Sequence, residues 1–71
     1  MDKEIARKIL PLVNDVDKYP LLQDYIENRI ETMRNFLENT KDHQKVLEVQ
    51  GAIAELRRFQ TLRDQALEGA K

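Results

Sequence analysis

The residues of this chain that could do chemistry fall into three sets, and each set is incomplete. Asp15 and Asp17 lie two apart, and Glu27 and Glu31 lie one helical turn apart. Paired carboxylates do general acid–base work when a cleft holds one of them away from its ordinary pKa. A pair of packed helices offers little cleft, so these acids read as a solvated face. His43 follows Asp42 and is the only histidine. A zinc site needs several nitrogen or sulfur ligands, and this chain has no cysteine to supply them. His43 is therefore expected at the surface, in a loop or a first helical turn. The third set is Arg57, Arg58 and Arg63, with Phe59 among them. Guanidinium groups beside an aromatic ring suit phosphate contact. Glu55 and Asp64 flank that cluster, and the C-terminal half of a helix favours cations anyway. A carboxylate on another protein is an equally good match, because arginine is enriched at interfaces.

These sets point away from catalysis, and the expectation is a protein that is not an enzyme and needs no cofactor or metal. The formal net charge is −1, with acids and bases interspersed. A dedicated nucleic-acid binder normally carries a strong positive excess. Nucleic acid is accordingly the weaker partner class. No run approaches the ~18 apolar residues of a membrane span. The opening MDKEIARKIL mixes charges into its apolar run, so neither a secretory leader nor a membrane partner is expected.

The elements that must position these side chains are helices. No sustained period-2 alternation of β-branched and aromatic residues is present. Asp2 can cap a first helix, and Ile5, Ile9, Leu12 or Val13, and Val16 recur at helical spacing. Pro11 interrupts that row, so the segment 2–16 is expected to break near residue 11. Pro20 suits the first turn of a second helix over 20–38, whose apolar row is Leu22, Ile26, Ile30, Met33 and Leu37. Arg34 and Glu38 are spaced to pair on its wet face. Asn39 suits a left-handed helix end, and Thr40 or Asp42 suits the next cap. The short loop turns the chain back on itself. A third helix over 42–68 then carries Val46, Val49, Ala52 or Ile53, Leu56, Phe59, Leu62 or Arg63, and Ala66, with Gly69 as its stop. The fold class is all-α: an antiparallel helical hairpin with a short N-terminal helix packed across it.

Gly51 is out of place in that third helix, where glycine costs roughly 1 kcal/mol relative to alanine. With Ala52 and Ala54 it makes a patch of small residues that would let another backbone approach closely. Gln50, Gly51, Ala52, Ile53, Ala54, Leu56 and Phe59 are thus the expected packing or interface surface, with Arg57, Arg58 and Arg63 as a partner-contact edge. A tolerated surface glycine is the simpler alternative. Size argues the same way. A chain of 71 residues must offset an ordering cost of roughly 1.5 kcal/mol per residue. Chains this small usually add disulfides, a metal or a partner. The first two are missing here, which leaves association and an oligomer.

YPLLQDYIENRIETMRNFLEN, a polar turn, and KVLEVQGAIAELRRFQTL resemble a family of short helical proteins encoded by tailed bacteriophages, often among virion and DNA-packaging genes. The likeness lies in a hydrophobic-x-Gln-Gly-x-Ile-x-x-Leu-Arg pattern. Val49, Gln50, Gly51, Ile53, Leu56 and Arg57 match it, and the resemblance covers Tyr19 to Leu62. It implies a small assembly or accessory protein of the host cytoplasm or the virion. Its partner would be a copy of itself or a larger phage protein. The alternatives are a phage inhibitor of a host protein and a nucleic-acid-binding accessory.

Overall fold

A computed structural model describes residues 1–71 and consists of helices and turns only. The helices are α1 (Lys3–Val13), α2 (Tyr19–Asn39), α3 (His43–Gln60) and α4 (Leu62–Gly69). The fold is all-α. Helix α2 pairs with α3 as a hairpin, α1 pairs with α4, and α3 and α4 meet at their junction.

Each helix start has a chemical cause. The Asp2 carboxylate accepts from the amides of Glu4 and Ile5 at 2.8 and 3.2 Å, and the Asp42 carboxylate from those of Gln44 and Lys45 at 3.0 and 3.3 Å. Asp15 turns the chain from α1 into α2: its carboxylate accepts from Asp17 and Lys18 N–H at 2.9 and 2.8 Å. Pro20 then occupies the first turn of α2. Such caps satisfy amides that have no partner within the helix.

Four expectations about the elements need correction. Helix α1 is not broken near Pro11; it runs through it and stops at Val13. Pro11 lies in the last turn, so it removes a single backbone bond, and Asn14 N–H still reaches the Leu10 carbonyl at 3.0 Å. The segment 42–68 is not one rod, because it divides at Thr61. Asn39 does not adopt a left-handed conformation, since no residue has positive φ. It ends α2 as a helical residue whose side-chain Nδ2 donates to the Asn35 carbonyl at 2.8 Å. Arg34 pairs with Glu31 at 3.8 Å, one turn toward the N-terminus, in place of Glu38.

The interior is thin. Only seven of the 71 residues are buried, six of them in two clusters and Ala6 apart from both. Ile26, Ile30 and Ile53 join α2 to α3, with Leu22, Met33, Leu37, Val49 and Leu56 around them. Val13, Tyr19 and Ala66 join the other end, with Ile9, Leu10, Leu22 and Leu62 packed on them. Leu22 touches both clusters and ties the two helix pairs together. No helix is long and apolar enough to cross a membrane.

Candidate functional site: an uncovered apolar groove

The site begins with the break at Thr61. Dividing a helix leaves a terminal carbonyl and an initial amide without partners inside it. Two side chains one turn apart on α2 take them up. Gln23 Nε2 donates to the Gln60 carbonyl at 3.2 Å, and the Tyr19 hydroxyl accepts from Arg63 N–H at 3.2 Å. Gln23 Nε2 also donates to the Tyr19 hydroxyl at 2.7 Å, so the two act as one clamp. On the other side of the bend, Gln65 Nε2 donates to the Arg58 carbonyl at 2.7 Å and to Thr61 Oγ1 at 2.9 Å. Thr61 Oγ1 in turn donates to the Arg58 carbonyl at 2.9 Å. Beyond marking the start of the family resemblance, Tyr19 has no role in the reading from sequence, although it extends the apolar row of α2 by one step back from Leu22.

The bend lets α4 meet α1 through small residues. Ala6 and Ala66 are fully buried. A Cβ added to Gly69 would lie 3.0 Å from Ala6 Cβ and 3.2 Å from the Met1 carbonyl oxygen. The glycine that permits close helix contact is therefore Gly69, not Gly51. Nothing lies within 4 Å of a Cβ built on Gly51, which is exposed and faces open space.

The expected packing surface separates accordingly. Ile53 and Leu56 belong to the α2–α3 interior, and Ala52 is half-buried. Gln50, Gly51 and Ala54 are exposed, Gln50 and Ala54 lining a groove with Arg34 and Leu37 of α2, and Phe59 stands 46% exposed beside the bend. The three arginines do not form one basic cluster. Arg57 lines a groove with Arg34, Leu37 and Gln50; Arg58 lines another with Phe59; and Arg63 lines a third with Asp15, Val16 and Tyr19. Successive helical positions point about 100° apart, and the break at Thr61 carries Arg63 onto another helix.

Ala6 and Val13 take the inner face of α1 with Ile9 and Leu10 packed beside them, and Ile5 and Leu12 are left outside. Ile5 is 51% exposed, Leu12 42% and Met1 51%. Val16, in the turn that follows, is 84% exposed. Met1 and Ile9 line an open groove of about 310 Å³ with Phe59 and Leu62, and Glu55, Arg58 and Gln65 form its rim. No family model, curated protein or solved structure matches this chain. The arrangement is thus read from its own geometry. No group of three or more histidine, cysteine or carboxylate side chains converges anywhere. What the groove offers is apolar area with a rim ion pair, Arg58 to Glu55 at 3.4 Å. That chemistry suits the burial of another protein's apolar side chains.

Proposed function

We propose that this chain is a non-enzymatic protein–protein interaction module that works by burying the outer face of α1 and the Phe59 groove against another protein surface. The observation that carries this reading is the open groove lined by Met1, Ile9, Phe59 and Leu62, of which Met1 and Phe59 stand exposed, together with Ile5 and Leu12 left exposed on α1. Single exposed apolar residues are ordinary, but several around one concavity mark a contact surface. The resemblance to short phage proteins supports an assembly role in a virion or packaging complex, within the host cytoplasm or the particle. Its residues Gln50 and Gly51 lie away from this groove, so the resemblance bears on the helical frame and not on the contact surface.

The test is photocrosslinking from two positions in the intact protein, Phe59 and Gly51, in infected or expressing cells. Adducts to a discrete protein from position 59 and none from position 51 are the expected result. Equal or absent crosslinking from both positions overturns the reading.

A further inference from the structure

We infer that the occupant of this groove is a second copy of the chain, packed through a two-fold contact in which each copy's α1 lies over the other's Phe59 groove. The inference rests on the interaction reading above and narrows it to one partner. Three observations favour a copy. The first is area. A compact monomer of 8.4 kDa exposes about 4,600 Å², whereas this chain exposes 5459 Å². The excess over the whole chain, roughly 850 Å², is of the size, ~800 Å², that each partner contributes to a standard stable interface.

The second observation is shape. The radius of gyration is 14.8 Å, against about 11 Å for a compact chain of this length. The extents of 44 × 25 × 12 Å describe a plate. Domains are ordinarily built from two packed layers around one interior. Here a second plate laid on the first supplies the missing layer.

The third observation is charge. The charged side chains that line the groove are Glu55 and Arg58, paired with each other at 3.4 Å. The pair neutralises itself locally, so the groove has no net sign. A two-fold contact sets residue i of one copy against j of the other and j against i, and a groove without net charge takes an apolar helix face of its own chain without like-charge repulsion. A partner of strong opposite charge would call for a one-signed rim, and this rim has none.

Sedimentation equilibrium from roughly 5 to roughly 500 µM tests the inference. The mass is expected to rise from 8.4 kDa toward twice that value. Ile5→Lys and Leu12→Lys, both at exposed positions, are expected to weaken association at least about tenfold while leaving the circular dichroism spectrum unchanged. Ala54→Lys, on the opposite groove, is expected to associate like the parent. A second readout is an isotope-filtered NOE experiment on a mixed sample. It is expected to connect the Phe59 ring of one copy to Ile5 or Leu12 methyls of the other. A parent that stays at 8.4 kDa throughout, or a dimer whose NOEs map instead to Phe36 of α2 and Leu47 of α3, which are also exposed, overturns the inference. A monomer that still crosslinks a different protein from position 59 also overturns it, and leaves the broader interaction reading standing.

Discussion

Tyr19 caps a helix from across the fold. The start of α4 has no side-chain cap of its own, since Thr61 turns its hydroxyl back to the Arg58 carbonyl. The Tyr19 hydroxyl fills that role for Arg63 N–H while its ring is buried against Val13 and Ala66. Tyr19→Phe keeps the ring and deletes the acceptor. It is expected to lower stability by about 1–2 kcal/mol, because a part-buried donor loses its partner. Urea denaturation checks this, with an unchanged m-value marking a native-state effect. The two glycines should respond in opposite directions. Gly51→Ala meets open space in a helix interior and is expected to raise stability by ~0.5–1 kcal/mol. Gly69→Leu must push a side chain into Ala6 and the Met1 backbone and is expected to cost about 1–3 kcal/mol. Thermal melts of the two variants at low concentration separate these outcomes. The roles of the glycines were readable only in part. Gly51 lies two residues before Ile53, hence about 200° around the helix from the buried row. Its outward orientation was therefore implicit in the apolar periodicity, while the contact at Gly69 depends on α1 arriving from the other end of the chain.

At the scale of elements, the helices whose ends are set by local chemistry were legible. Asp2 and Asp42 cap as their types suggest, Pro20 sits in a first turn, and the observed α2, Tyr19–Asn39, departs from 20–38 by one residue at each end. Asp42→Ala is expected to destabilise the hairpin by about 1 kcal/mol, read as earlier loss of helical ellipticity on heating. The break at Thr61 was not legible, because no glycine or proline marks it. It is held by Gln23, Tyr19 and Gln65, two of which are distant in sequence. The row Ile5, Ile9, Leu12, Val16 was likewise visible, but not which phase of α1 would be buried. Helix α4 presents Ala66 and Gly69, and close approach to such a surface selects the small Ala6 on α1. The larger neighbours are turned outward for that reason. The candidate site thus follows from a packing choice between two helices, and neither sequence alone displays it.

For the whole molecule, the nature of the forces distinguishes self-association from binding to nucleic acid. All four ion pairs join residues three or four apart in sequence, and all are exposed. Such pairs contribute little and are screened by salt. Nothing in the fold or across the proposed contact relies on a charge pair between elements. Raising sodium chloride from roughly 0.1 M to 1 M shortens the Debye length from ~10 to ~3 Å. Contact through Met1, Ile5, Leu12 and Phe59 is expected to be unchanged or tightened by that step, because burial of apolar area is not screened. Calorimetric dilution of the concentrated protein should accordingly give a negative heat-capacity change for association, the mark of apolar surface leaving water. Phosphate contact through Arg57, Arg58 and Arg63 would behave in the opposite way, losing affinity steeply as counterion release became less favourable. Those arginines line three separate grooves, which spreads their charge over the surface. Association that collapses in high salt, or that shows no heat-capacity change, would place the driving force in charge and remove the apolar face from the account.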